Sequence, residues 1–329
     1  MTRPAVGPGR ALRGGLEPSA LGLGGAPIGN LFSPVDDEAA LATVRRALAC
    51  GMRYVDTAPH YGLGVSERRC GRVLGELPRD SYVLSTKVGR LLRPLAPGET
   101  APDEGYVGGP ALKRVWDFSR DGIRRSLEES LERLGVDRVD IVYLHDPDDF
   151  EDEVYATAFP ALAQLREEGI VRAIGAGMNQ VGMLARFVRR LDLDVVLVAG
   201  RYTLLDQTGL TDLLPACEER GVGAVVGGAF NSGLLADPAA GRYDYGKAPS
   251  DLVARAHAMA EICARHATSL AGAALQFPLG HPAVCSVVVG ARSPEEVDSN
   301  ARAFSDRAPP ALWDELRSAG LLREDVPVP

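Results

Sequence analysis

A single (β/α)8 barrel is the fold this chain predicts, on three observations. Eight short apolar runs recur through the 329 residues, each closed by small or polar residues before a helical pattern begins. The runs are almost continuously apolar, as parallel strands covered by helices must be. No linker, low-complexity tract or shift of composition divides the series, so one domain accounts for it at a length that such closures commonly reach.

The runs lie at residues 21–25, 53–57, 82–87, 140–145, 171–175, 194–199, 223–226 and 285–290. Between the first two, residues 36–50 repeat Leu41, Val44 and Leu48 at spacings of three and four, and Gly51 offers an end. Ser119 is a predicted N-cap for a helix that aligns Ile123, Leu127, Leu131 and Leu134 before Gly135. After the last run, Ser293 and Glu296 form a capping box with Pro294 in the first helical position. Two connections, 89–118 and 231–249, are too long for ordinary loops and follow strand ends, so they are candidate substrate walls. Residues 1–15 and 321–329 read as flexible tails around a barrel over 16–320.

Composition removes several classes of function. With 36 basic and 44 acidic side chains the net charge is −8, and no local cluster of Lys and Arg offsets it, so nucleic acid is not an expected partner. No apolar run approaches the roughly 18 residues of a membrane span. The five cysteines, Cys50, Cys70, Cys217, Cys263 and Cys285, are widely spaced and contain no CxxC pair. They suggest neither disulfides nor zinc, and a cytoplasmic location fits them. No metal is expected: a hydrolase using His60, His145 and aspartates would want a His-x-His on the first strand, which is absent. Nothing indicates an oligomeric state.

The strand ends carry the chemistry. The second run leads through Asp56 to His60 and Tyr61, the third ends at Lys87, and the fourth ends at His145 and Asp146. A lysine closing a buried strand needs a carboxylate, and Asp56 is on the neighbouring strand. That pair is either a structural ion pair at the rim or a cation that stabilises the phenolate of Tyr61, whose ordinary pKa is near 10. His145 is either a satisfied core imidazole or a donor that orients a reacting oxygen. Six carboxylates between Asp146 and Glu153 either accept bonds from substrate hydroxyls or form a solvated, helix-capping loop. Trp116 and Phe118 are either an apolar platform for a substrate or core residues.

Asp56, Tyr61 five residues on, Lys87 and His145 together resemble the Asp, Tyr, Lys, His tetrad of the aldo-keto reductases. The resemblance extends over residues 16–305, through Leu21-Gly22-Leu23-Gly24, Tyr-Gly-x-x-x-Ser-Glu at Tyr61, and Gly-Ala-Arg-Ser-Pro-Glu-Glu-Val at Gly290. It implies the same barrel and a nicotinamide cofactor held in extended form without a Rossmann domain. Tyr61 would be the general acid/base, Lys87 its activator, Asp56 the partner of Lys87, and His145 the orienter of the reacting oxygen. Gly25, Asp56, Asn179, Phe230, Ser232, Gly290, Arg292, Glu296 and Asn300 would hold the cofactor. Tyr61, His145, Asp146 and Trp116 would meet the substrate.

NADP-binding members of that family carry Lys where this chain has Gly290 and Arg where it has Glu296. A glutamate disfavours a 2′-phosphate and can accept a bond from a free ribose hydroxyl, so NAD is the expected cofactor. Arg292 is the group that would still serve NADP. Residues 200–207 and 229–235 resemble the subgroup that oxidises free aldoses at C1, including L-fucose, D-threo-aldose and L-galactose dehydrogenases, with a relative acting on pyridoxal at C4. The reaction implied is oxidation of a cyclic hemiacetal to a lactone. Alternatives are a broad NADPH-dependent aldehyde or ketone reductase and a non-catalytic, nucleotide-sensing barrel.

Overall fold

The computed structural model describes residues 6–100, 102, 105–244 and 246–329. Its strands in chain order are β1 (Leu21–Gly24), β2 (Tyr54–Asp56), β3 (Val83–Val88), β4 (Arg90–Pro94), β5 (Leu112–Trp116), β6 (Ile141–His145), β7 (Ala173–Met178), β8 (Val195–Ala199), β9 (Gly223–Gly227), β10 (Arg242–Tyr243), β11 (Gly246–Lys247) and β12 (Val284–Gly290). Eight of them close a barrel of parallel strands in the order β1-β12-β9-β8-β7-β6-β3-β2, the closure expected from the eight apolar runs.

The helices form where their ends and faces predict. Asp36 caps Asp37–Ala49 by accepting from the Ala39 amide at 2.8 Å. Ser119 caps Arg120–Leu134 by accepting from the Gly122 amide at 3.1 Å, and Gly135 ends that helix in the left-handed region at φ 63°. Its Ile123, Leu127 and Leu134 are buried, each contributing about 1.5–3 kcal/mol relative to exposure. One strand boundary differs from expectation: β7 runs on through Gly175 and Gly177, pairing Gly177 with Leu197, where the glycines suggested an end. Gly175 is a close-approach position, since a Cβ there would collide with the Val195 carbonyl oxygen.

Both long connections contain structure. β4 and β5 form an antiparallel hairpin and β10 and β11 a short ribbon, both beside the carboxyl ends of the barrel strands. Their mixed charges and prolines obscure the alternation that marks a strand.

The tails are not free. Residues 1–5 lie outside the described residues, but the Gly9 amide donates to the Pro18 carbonyl at 2.7 Å, and Arg10 donates to the carbonyls of Leu279 and His281, both at 2.9 Å. Leu12 and Leu16 are buried in one cluster with Tyr54, Ile141, Tyr143, Val195 and Val225, at the floor of the barrel. At the other end Leu322 and Val326 are buried, and Arg255 and Arg317 donate to the carbonyls of Leu321 and Val326. Glycine and proline keep these segments short of long elements, with only a 3-10 turn at Arg13–Gly15, but an open barrel floor still needs apolar cover.

Candidate active site

The barrel register places the polar strand ends side by side. Asp56 pairs with Ser85 across β2 and β3, Lys87 with Tyr143 across β3 and β6, and His145 with Gly177 across β6 and β7. Lys87 Nζ donates to Asp56 Oδ2 at 2.7 Å and to the Thr57 carbonyl at 3.0 Å. The two residues are almost wholly buried, 2 % and 3 % exposed, where an unpaired charge would be prohibitive.

Tyr61 stands on the turn after β2. The motif that follows it turns out to be a brace. Ser66 Oγ donates to the Gly25 carbonyl at 2.7 Å and bonds Thr57 Oγ1 at 2.8 Å. Glu67, fully buried, accepts from Thr86 Oγ1 at 2.8 Å and from Arg133 Nε at 2.5 Å. These bonds anchor the start of the helix Val65–Leu74 against β1 and β3, and so fix the Tyr61 turn. Lys87 Nζ lies 4.6 Å from the centroid of the Tyr61 ring. His145 meets that ring edge to face at 5.9 Å, and Tyr106 stacks on it at 6.2 Å. Tyr61, Lys87, His60, Tyr106, His145 and Asp146 all line a cavity of about 890 Å³.

Both imidazoles are held neutral. Burial and then the Arg90 charge push His145 well below its ordinary value, and the same causes in the same order bring His60 down to about 2. His145 Nδ1 is buried without a hydrogen-bond partner. The stability consequence follows from linkage. Unfolded histidines take up a proton near pH 6.5 while these two do not, so the unfolded state binds more protons below that pH. Stability is therefore full above about pH 6.5 and falls as pH drops through the window toward the depressed folded values. Melting temperatures measured from about pH 7.5 to 5 should decline, and less so in His60→Gln; a flat profile would contradict burial of the neutral rings.

Arg90, the second residue after β3, was missed in the sequence because it stands in a stretch that reads as loop. It is buried, bonds His60 Nδ1 at 3.0 Å, pairs with Asp146, and lies 4.3 Å over the Trp116 ring. As Arg can only donate, His60 Nδ1 is the acceptor, which assigns the tautomer. Tyr106 was missed too, since nothing in its Gly- and Pro-rich surroundings marks it.

Several predicted contacts fall elsewhere. Trp116 does not line the cavity: it packs on Phe118 and Phe150 at 5.8 and 5.5 Å and leaves 41 % of its surface to solvent. Of the six carboxylates after His145, Asp146 alone lines the cavity, paired with Arg90, while Glu151 pairs with Arg186 at 2.6 Å. The six carboxylates do not make the mouth acidic: Asp56 and Asp146 each face a cation, and Arg242 and Lys247 also line the cavity.

A second compartment runs from Tyr61 and Asp56 past Asn179, Phe230 and Ser232 to Gly290, Arg292 and Glu296. Gly200, Gly227, Gly228 and Gly233 leave its wall without side chains, and Asn231 Oδ1 is buried there without a partner. A groove that runs this far along a wall of bare backbone suits an extended dinucleotide. Two predicted contacts brace it from behind. The Gly25 carbonyl is taken by Ser66, and Asn300 Nδ2 donates to the Gly290 carbonyl at 3.4 Å. A Cβ on Gly290 would stand 2.5 Å from Pro27 Cγ, so no side chain fits at that position. Arg292 donates to Ser33 Oγ at 2.8 Å, and Glu296 accepts from the Arg292 amide at 2.9 Å. Among the described residues there is no cluster able to hold a metal, and no helix is long and apolar enough to cross a membrane.

Comparison with known proteins agrees with this architecture. The model of the aldo/keto reductase family matches residues 20–320. A D-threo-aldose 1-dehydrogenase of a Pseudomonas species is 48% identical over 319 residues, covering 95% of this chain and 97% of its own. A pyridoxal 4-dehydrogenase of Microbacterium luteolum is 40% identical over 334 residues, covering 95% and 97%. The holo structure of an aldo-keto reductase from Bacillus halodurans superposes with a TM-score of 0.74 at 26% identity, covering 98% of both chains.

Proposed function

This chain belongs to the aldo/keto reductase family, and on that premise we propose that it oxidises a free aldose at C1 to the lactone, with NAD as its preferred cofactor. The observation that carries the substrate is the 48% identity, over 95% of the chain, to a D-threo-aldose 1-dehydrogenase. The cavity is consistent with it: Lys87 is paired with Asp56 and Asp146 with Arg90, and the phenols, imidazoles and carboxylate that line it beside Arg242 and Lys247 can bond the hydroxyls of a polyol.

A bound nicotinamide cofactor supplies the hydride acceptor. Tyr61 takes the proton of the C1 hydroxyl as the C1 hydrogen departs with its electron pair, which leaves the lactone carbonyl. Lys87, beside the ring, favours the phenolate that accepts this proton, and Asp56 holds Lys87 in place. His145, held neutral and lining the cavity beside Tyr61, donates to the reacting oxygen. Asp146, fixed by Arg90, accepts from a neighbouring hydroxyl. The groove residues Asn179, Phe230, Ser232, Arg292 and Glu296 hold the cofactor. Its working location is the cytoplasm, in keeping with five unpaired, buried cysteines.

Initial rates of NAD reduction across free pentoses, hexoses, deoxysugars and pyridoxal test the substrate. Turnover of one or more aldoses is expected; turnover of pyridoxal with silence on every aldose would replace the assignment. For the cofactor, Glu296→Arg should raise the NADP-to-NAD ratio of kcat/KM by about tenfold, the equivalent of 1.4 kcal/mol. Equal efficiency of the unaltered enzyme with both cofactors would overturn the preference.

A further inference from the structure

Beneath the Lys87–Asp56 pair the barrel interior holds three more polar groups in a line. Ser85 Oγ donates to Asp56 Oδ1 at 2.7 Å, Tyr54 Oη lies 3.0 Å from Ser85 Oγ, and Tyr143 Oη lies 3.1 Å from Tyr54 Oη. Ser85, Tyr54 and Tyr143 have no exposed surface, and Leu12 and Leu16 pack in the same floor cluster as both rings. The proton order is forced. A carboxylate only accepts, so the single Ser85 proton goes to Asp56; Ser85 must then accept from Tyr54, and Tyr54 from Tyr143. Every hydroxyl in the column points its proton toward Asp56. Burial raises both tyrosines well above their ordinary range, so they stay donors at any working pH.

We propose that Ser85, Tyr54 and Tyr143 are positioning residues for the reaction, a one-way hydroxyl chain that draws the Asp56 charge toward the barrel floor and leaves more of the Lys87 charge acting on Tyr61. The inference rests on Tyr61 as the acid/base. Successive donors polarise one another in a dry interior, so the charge-assisted bond from Ser85 is strengthened by the two behind it. Without them the Asp56 charge is concentrated next to Lys87, and proton release by Tyr61 requires a higher pH.

Few other groups can move that limb. Tyr61 is faced by Lys87 from β3, by His145 from β6, and by His60 and Tyr106 from the loops. Arg90, Arg114 and Asp146 stand behind the two imidazoles, which are held neutral. The tyrosine pair is faced by Asp56 and by Cys285 of β12, whose thiol burial pushes up to about 12. The ascending limb of kcat/KM for oxidation, along which the base loses its proton, therefore belongs to Tyr61.

The test compares pH profiles of kcat/KM for aldose oxidation in the unaltered enzyme, Ser85→Ala, Tyr54→Phe and the conservative Ser85→Thr, with urea unfolding of each as a check on folding. Ser85→Ala is expected to move the midpoint of the ascending limb upward by about half a pH unit or more, Tyr54→Phe to move it less in the same direction, and Ser85→Thr to keep it in place. Should Ser85→Ala fail to fold, Tyr54→Phe alone decides. Profiles superimposable on that of the unaltered enzyme would overturn the proposal, even if kcat falls, because a purely structural role lowers the amount of active enzyme without moving a midpoint. Tyr61→Phe in the same series separates the two readings: full turnover there would remove the premise, whereas its loss together with unmoved midpoints in the other variants would remove only the hydroxyl chain.

Discussion

Tyr61→Phe is expected to lower kcat for aldose oxidation by about 100- to 10,000-fold, the range over which a positioned acid/base acts, while NAD binds as before. The substitution removes one oxygen and keeps the ring. The phenyl group retains the stack on Tyr106 and the edge contacts with His145 and His60 that shape the cavity. Lys87 and Asp56 keep their bond, because neither depends on the phenol for its salt bridge. Initial rates with the aldose turned over best, set beside a fluorescence titration with NAD, separate the two quantities. A variant that turns over at the unaltered rate would transfer the proton to another group, and Tyr106, the phenol stacked on Tyr61, would be the next to replace.

Lys87→Met should be the most destabilising single change in the site, by about 3–5 kcal/mol, with activity lost as well. Asp56, 3 % exposed, would keep the Ser85 bond but lose its counter-charge. The loss measures a stranded charge more than the worth of the pair, so a second substitution should recover much of it. In the double variant Lys87→Met with Asp56→Asn the buried charge is gone, and stability should return toward that of the unaltered protein while activity stays absent. Urea denaturation with linear extrapolation reads both. If the double variant is no more stable than Lys87→Met alone, the stranded-charge account fails.

The legible part of the site was the part written at strand ends. Asp56, Lys87 and His145 each close an apolar run, where the carboxyl end of a parallel strand delivers its last side chain to the mouth of a barrel. Tyr61 was legible through its five-residue offset from Asp56. Arg90 and Tyr106 were not, because both belong to a connection whose hairpin arises from pairing β4 with β5 across 17 intervening residues, a contact no local pattern records. Trp116 was placed on the wrong side for the same reason: which face of that hairpin turns inward depends on Arg90, Phe118 and Phe150 packing against it. The tails misled differently. Their composition read as flexible, whereas Arg13–Gly15 forms a 3-10 turn and Leu12, Leu16, Leu322 and Val326 are buried.

By itself the sequence determined the barrel, its eight strands and the residues that close them, since periodicity, caps and strand termini are local and the closure of eight parallel strands follows from their number. Only the tertiary structure decided which charges meet. The −8 chain does not present an acidic mouth: Asp56 is matched by Lys87, Asp146 by Arg90 and Glu151 by Arg186, pairs separated by 31, 56 and 35 positions in the chain. The same holds for the hydroxyls of Tyr54, Ser85 and Tyr143, which come from three strands and look like ordinary core residues until the register aligns them. Electrostatic interaction depends on distance and on burial, and both are set by how distant segments pack, so composition yields the total charge and the fold decides where it acts.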